Sequence, residues 1–325
     1  MSTNADVGSV TPTSLSHLIG QRQVVENVRV ALDAAHQDGR KFDHSLLVGP
    51  PGLGKTQVAK VIAAEMAGDL HEVLGQTLVS NLELNHLLLA AKDKDIVFID
   101  EAALIPSEQQ HALLVALDQR KVYAGGGRSG KPPLAVPLAD ITILMATTDE
   151  YCLIQPLRDR MRLVLRFDFY RPDEVAELVG QRCRGLGWPV EERVLPEVAV
   201  RARGVPRLAL RLLQSARRVC RSEGEGTITA AHLKRACDLE QIDPLGLGPV
   251  EQRYITLLAD GATRLNVLAS RLGLPARTVA EVTEPFLIRV GLVGKDGQGG
   301  RELTAAGRNH LLKDAGLRES FGDIS

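Results

Sequence analysis

The sequence predicts a parallel α/β domain, then a small all-helical domain, then three helices closed by a β-hairpin. Three observations carry that expectation. Short apolar runs, Ser45-Leu46-Leu47-Val48, Ile96-Val97-Phe98-Ile99 and Ile141-Thr142-Ile143-Leu144-Met145-Ala146, read as buried strands and alternate with helical spacing between Ser14 and Asp168. Strand-like runs then stop, and helices dominate to Asp243. Past the linker Pro244-Leu245-Gly246-Leu247-Gly248-Pro249, three helical patterns lead to short apolar runs around a glycine-rich tip. The expected boundaries are a disordered tail over 1–13, the α/β domain over 14–168, the helical domain over 169–243, the third domain over 244–318 and a tail over 319–325.

Within the first domain, 24–35 is an amphipathic helix before the first strand, and 57–67, 84–91 and 107–118 follow, the last with Ser107 as its N-cap. Residues 122–137 contain Gly125-Gly126-Gly127 and Pro132-Pro133 and read as a protruding hairpin or loop. The helical domain holds 172–182, 196–202, 206–221 and 230–238. Several of these start with proline, whose missing N–H costs nothing in a first turn, and Thr229 caps the last. In the third domain, 251–259, 265–272 and 276–284 are helical, with a turn at Gly273-Leu274-Pro275. Leu287-Ile288-Arg289 and Leu292-Val293 then flank a polar tip, Gly294 to Gly300, before Arg301-Glu302-Leu303. That pattern is a winged helix-turn-helix, which serves duplex DNA or docks proteins. From 250 to 318 there are ten Lys or Arg against seven Asp or Glu, a local net of +3.

Bulk composition narrows the classes. The 325 residues carry a net charge of −1, so any nucleic-acid surface must be local. Aromatics are 3%, too few for single-strand binding by base-stacking platforms. Cys152, Cys183, Cys220 and Cys237 show no paired spacing for zinc or a redox couple and fit reduced thiols of a cytosolic protein. No apolar run reaches the roughly 20 residues of a membrane span, and the N-terminus has no basic region followed by an apolar core.

The chemistry concentrates in Gly49-Pro50-Pro51-Gly52-Leu53-Gly54-Lys55-Thr56, set between the first strand and the helix that begins near Gln57. A strand, a glycine turn and a helix start converge backbone N–H groups and a helix dipole on an anion. Lys55 then reaches the β- and γ-phosphates, and the Thr56 hydroxyl holds Mg²⁺. The strand ending in Phe98-Ile99 delivers Asp100-Glu101 to the edge where parallel sheets place ligands. Asp100 supports the Mg²⁺ shell and Glu101 polarises the attacking water. Both motifs together imply hydrolysis of a nucleoside triphosphate.

Thr147 and Thr148 end the next strand, where a hydroxyl can sense the γ-phosphate. An arginine in Leu157-Arg158-Asp159-Arg160 is either a surface charge or a finger completing a neighbouring subunit's site. Such a finger is worth about 10³–10⁵ in rate. In Arg203-Gly204-Val205-Pro206-Arg207, the proline starts a helix and places Arg207 in its first turn. A cation there opposes the helix dipole, which a facing phosphate would explain, so Arg207 reads as a nucleotide sensor.

These residues resemble the RuvB family, AAA+ ATPases with a C-terminal winged helix that drive branch migration of Holliday junctions. The resemblance runs from about Leu15 to Leu312 and rests on Leu18-Ile19-Gly20-Gln21, Gly49 to Thr56, Phe98 to Glu101, Ala146-Thr147-Thr148, Pro156 to Arg160, Arg203 to Arg207 and Glu284-Pro285-Phe286-Leu287-Ile288. It implies a homo-oligomeric ring, a hexamer, around duplex or four-way DNA, with ATP between the large and small domains. By motif, Gly49 to Gln57 contact the nucleotide, and Thr56 and Asp100 the metal. Arg160 falls at the arginine-finger position, and Tyr170 and Arg207 at nucleotide contacts. Lys295 and Arg301 fall near the DNA-contacting wing, and Arg277 is the further expected DNA contact.

Four features depart from the family pattern. Asp100-Glu101-Ala102-Ala103 replaces Asp-Glu-x-His, and the leading Leu-Arg-Pro is replaced around Val10-Thr11-Pro12. The 121–137 hairpin, which docks the partner RuvA in the family, is here Lys121-Val122-Tyr123-Ala124 with three glycines, and the wing tip is one residue longer and poorer in arginine. Two readings follow from the sequence: a ring-shaped DNA motor, or a nucleotide-switched loader that remodels a protein partner.

Overall fold

The computed structural model describes residues 11–124 and 133–312. The tail expected before residue 11, the Gly125-Gly126-Gly127 tip with Pro132, and the tail over 319–325 lie outside the described residues. The chain divides into two compact units, Met1–Pro189 with Gly204–Arg211, and Val190–Arg203 with Leu212–Ser325. The expected helical domain over 169–243 is thus shared between them.

The first unit is built on a parallel sheet of β1 (Ser45–Val48), β2 (Leu70–Leu74), β3 (Ile96–Asp100), β6 (Thr142–Thr147) and β7 (Leu163–Arg166), in the order β2-β3-β6-β1-β7. Successive strand side chains point to opposite faces, so one face takes Leu47, Phe98, Leu144 and Leu165 and the other Leu46, Val97, Ile99, Ile143 and Met145. Helices α1 (Arg22–Gln37) and α2 (Lys55–Glu65) cover the first face, and α3 (Asn81–Ala90) and α4 (Ser107–Gln119) the second. Cover on both faces is why β1, β3 and β6 read as unbroken apolar runs. The outer strands β2 and β7 are half exposed and carry His71, Glu72 and Arg166, so no such run marked them. Strands β4 (Lys121–Ala124) and β5 (Leu134–Pro137) pair antiparallel as the expected hairpin. The short α5 (Gln155–Arg158) precedes β7, and α6 (Pro172–Leu186) follows it.

At two helix starts the capping differs from expectation. Ser107 is the first residue of α4, with Pro106 extended in the cap position and no side-chain cap bond. Helix α3 begins earlier than the apolar spacing indicated because Ser80 and Glu83 form a capping box: Glu83 N–H donates to Ser80 Oγ at 3.4 Å and Ser80 N–H donates to Glu83 Oε2 at 2.9 Å.

In the second unit, α7 (Val194–Arg201) and α9 (Ala230–Glu240) pack together, and α8 (Pro206–Ser222) reaches it after starting in the first. Thr229 caps α9 as expected, accepting from His232 N–H at 3.4 Å. Helices α10 (Pro249–Leu257) and α11 (Leu265–Leu272) precede a helical stretch over 276–289, and β8 (Val293–Lys295) and β9 (Arg301–Leu303) form the wing. Their shared core is Tyr254, Leu268, Val279, Leu287, Leu292 and Leu303. Leu287-Ile288-Arg289, expected to flank the wing tip, instead continue the helix. A π turn over Val279–Thr283 loosens the backbone ladder just before Pro285, which has no N–H to contribute. No helix among the described residues is long and apolar enough to cross a membrane.

β3 is anchored where it starts. Asp95 is buried, and its carboxylate accepts from Lys92 N–H at 2.8 Å, Asp69 N–H at 3.1 Å and His71 Nε2 at 2.9 Å. Burial pushes its pKa up, but these donors outweigh burial and hold it below the ordinary 3.8. A depressed carboxylate contributes stability above its unfolded pKa and loses it as pH falls through the folded value. Stability is therefore expected to drop below about pH 4 in wild type. Asp95→Ala, which strands buried donors, should cost about 1–3 kcal/mol at neutral pH and flatten that acid limb in urea titrations.

Candidate nucleotide site

The glycine loop leaves β1, which lies between β6 and β7, and Gly49 N–H donates to Thr147 O at 3.1 Å. Gly54 caps α2 in the left-handed region, so the helix opens with Lys55 and Thr56. The Lys55 ammonium donates to Gly49 O at 2.6 Å and Pro50 O at 2.9 Å, which draws it over the loop. Burial lowers its pKa; Asp100 opposes that and Arg207 reinforces it. Thr56 Oγ1 donates to Asp100 Oδ2 at 3.2 Å, and Asp100 Oδ1 accepts from Glu101 N–H at 2.9 Å. A hydroxyl and a carboxylate this close form the oxygen pair that fits Mg²⁺ beside a phosphate. Glu101 is exposed at the strand end, with φ of 52°.

Two residues from beyond the sheet close on the loop. Tyr170 OH donates to Leu53 O at 3.2 Å, and burial pushes its phenol up to about 12. Arg207, second residue of α8, donates its backbone N–H to Gly52 O at 3.4 Å. Gly52, at φ +81°, has no room for a side chain: a Cβ there would lie 2.9 Å from Val205 Cγ1 and 3.0 Å from Arg207 Cβ. Gly204, at φ +77°, lets the chain turn against Tyr170, whose N–H donates to Gly204 O at 2.9 Å. Leu53 of the loop is fully buried and Pro51 is exposed, and Gln57 Oε1 in α2 is buried without a hydrogen-bond partner among the described residues.

The two threonines divide. Thr147 is buried, and its hydroxyl donates to Asp149 O at 2.9 Å and accepts from Asp149 N–H at 3.0 Å, so it builds the turn. Thr148 is exposed. Arg160 is not brought to the loop of its own chain: its described polar partner is Asp118, contacted by Nε and, at 3.1 Å, by Nη2. Gln21, quoted in the Leu18-Ile19-Gly20-Gln21 anchor without a role of its own, brackets Asp168 with its amide by donating to Asp168 O at 2.6 Å and accepting from its N–H at 3.2 Å. It steadies the approach to Tyr170, and the signal was the Gly20-Gln21 pair preceding α1.

In the wing, Lys295 is exposed and Arg277 pairs with Glu281 at 2.8 Å while remaining largely in solvent. Arg301 differs. Its Nε and Nη2 donate to Glu284 at 2.8 and 3.1 Å, and Tyr254 OH donates to the same carboxylate at 2.7 Å. The Glu284 and Tyr254 side chains are buried, and the Glu284 contact raises the Arg301 pKa. Its guanidinium pins the wing to the helix over 276–289.

A phosphate loop with Lys55 and Thr56 at its helix start and an Asp-Glu pair on the next strand but one defines a P-loop nucleotide hydrolase. Comparison with known proteins sharpens that class. Residues 10–167 match the P-loop domain of the Holliday junction DNA helicase RuvB, 170–243 the RuvB AAA lid domain and 244–312 the RuvB C-terminal winged helix domain. The Holliday junction branch migration complex subunit RuvB of Anaeromyxobacter sp. (strain K) is 36% identical over 312 residues, covering 94% of this chain and 91% of that protein. RuvB 2 of Synechococcus sp. (strain JA-3-3Ab) is 35% identical over 309 residues, covering 93% and 83%. The solved Holliday junction branch migration motor RuvB of Thermotoga maritima superposes with a TM-score of 0.79 at 30% identity, covering 92% of this chain and 97% of that one. The chain belongs to the RuvB family of AAA+ ATPases.

Removing one partner of a buried ion pair leaves the other uncompensated, at about 3–5 kcal/mol. Arg301→Ala is therefore expected to lower Tm markedly by stranding Glu284, whereas Lys295→Ala should leave Tm nearly unchanged, its folding free energy within about 0.5 kcal/mol of wild type. Thermal melts of both variants check this.

Proposed function

We propose that this protein is an ATP-driven motor that moves duplex DNA at four-way junctions from within a homo-oligomeric ring, a hexamer. The observation that carries the reading is the convergence of Lys55 and Arg207 on one glycine loop, opposite the Thr56–Asp100 pair. A buried ammonium with a second, exposed cation at the same loop favours a polyphosphate between them. Membership of the RuvB family supports the motor over a protein loader.

Lys55 and the loop N–H groups hold the β- and γ-phosphates, and Tyr170 and Arg207 close over them. Thr56 and Asp100 would hold Mg²⁺, which when bound supplies charge neutralisation between the β- and γ-phosphates. Glu101 accepts the proton of the attacking water, and Thr148 orients that water beside the γ-phosphate. Arg160 acts in trans, completing the site of the adjoining protomer. Arg277 and Lys295 meet DNA backbone, and Arg301 contributes by fixing the wing that carries Lys295. On the hairpin, Tyr123 and Leu134 are exposed, 42% and 69%, one apolar side chain on each face, suited to contact with a RuvA-like junction-binding protein. The cytoplasm is the compartment this activity requires.

ATP turnover measured with no DNA, linear duplex and four-way DNA at low salt tests the reading. Stimulation by DNA, greatest with the junction and lost as salt rises, is expected, and Glu101→Gln should bind ATP yet lose turnover. Turnover indifferent to every DNA form would overturn it.

A further inference from the structure

The last turn of α4 and the segment after α5 bring together Asp118 and Arg160, 42 residues apart in sequence. Nε of Arg160 donates to Oδ1 of Asp118, and Nη2 donates to Oδ2 at 3.1 Å. Both carboxylate oxygens and one full edge of the guanidinium are used, a fork that fixes the plane of the group as well as its position. Each partner shifts the other in the direction an ion pair requires: the Arg160 pKa is raised and the Asp118 carboxyl is lowered, chiefly by this contact.

Stability does not explain the pair. The side chains are 47% and 38% exposed, and ion pairs at such exposure contribute little to folding. What the pair does restrict is rotamer freedom, which a long arginine side chain otherwise keeps. Among the described residues Nη1 has no hydrogen-bond partner, so the edge opposite the clamp stays available for a phosphate. We propose that Asp118 is the positioning residue for Arg160, clamping one edge of the guanidinium so that the other meets the γ-phosphate of the adjoining protomer at a fixed angle. The proposal rests on Arg160 being a trans-acting finger. Asp118 acts through Arg160 by holding in advance the orientation that transition-state stabilisation needs.

The test uses the full-length chain as wild type, Asp118→Ala, Asp118→Glu, Arg160→Ala and the double Asp118→Ala/Arg160→Ala. ATP turnover is measured beside ring assembly by sedimentation and ATP affinity by a fluorescent analogue. Asp118→Ala should lower kcat by about 10–100-fold, the scale of a misplaced catalytic group, with KM, assembly and ATP affinity unchanged. Asp118→Glu, which keeps the carboxylate, should recover most of the rate. The double variant should be no slower than Arg160→Ala, because a clamp has nothing to hold once the finger is gone. Unchanged or faster turnover in Asp118→Ala would overturn the proposal, as would a double variant slower than Arg160→Ala by the full Asp118→Ala factor. Arg160→Ala turning over at the wild-type rate would show that the finger reading itself is at fault, separately from Asp118.

Discussion

Two positive charges against one glycine loop set the terms for the first unit. Lys55 is buried at the start of α2, and Arg207 reaches the same loop from the start of α8, where its charge makes that of Lys55 harder to hold. Such repulsion is tolerable because loop carbonyls accept hydrogen bonds from the Lys55 ammonium and Asp100 stands opposite. Everything that places Asp100 serves this balance. Asp95 anchors the start of β3, both faces of β3 are covered, and its last residue comes out level with Thr56. The sheet is in effect a jig that sets a carboxylate against two cations.

Much of that jig was legible in the sequence. Strands β1, β3 and β6 announced themselves because burial on both sides demands unbroken apolar residues, and the glycine loop because close backbone approach excludes a Cβ at Gly52. Strands β2 and β7 did not, since an outer strand with one wet side carries His71, Glu72 or Arg166 and loses the pattern. The start of α3 was readable from Ser80-x-x-Glu83 but was placed by apolar spacing instead. Helix 276–289 was cut short because Pro285 ordinarily ends a helix, and the π turn before it leaves no mark in local composition.

The candidate site divides in the same way. Lys55, Thr56, Asp100, Tyr170 and Arg207 come together because motif spacing encodes one backbone turn each. Arginine roles were harder to read, since a guanidinium's task depends on which carboxylate the fold delivers to it. Arg301 meets a buried Glu284 and becomes a structural pin, while Arg160 meets a half-exposed Asp118 and keeps a free edge. Neither pairing follows a fixed spacing; each is made by tertiary contact across unrelated elements.

The most direct measurement concerns the two cations. Melting temperature is recorded for wild type and Arg207→Gln, with and without Mg-ATP. Relief of like-charge crowding should leave Arg207→Gln at least as stable as wild type without nucleotide, yet with a much smaller rise in Tm on adding ATP, since ligand stabilisation tracks affinity. An unchanged ATP-induced rise would contradict the claim that Arg207 and Lys55 are held together to share one triphosphate.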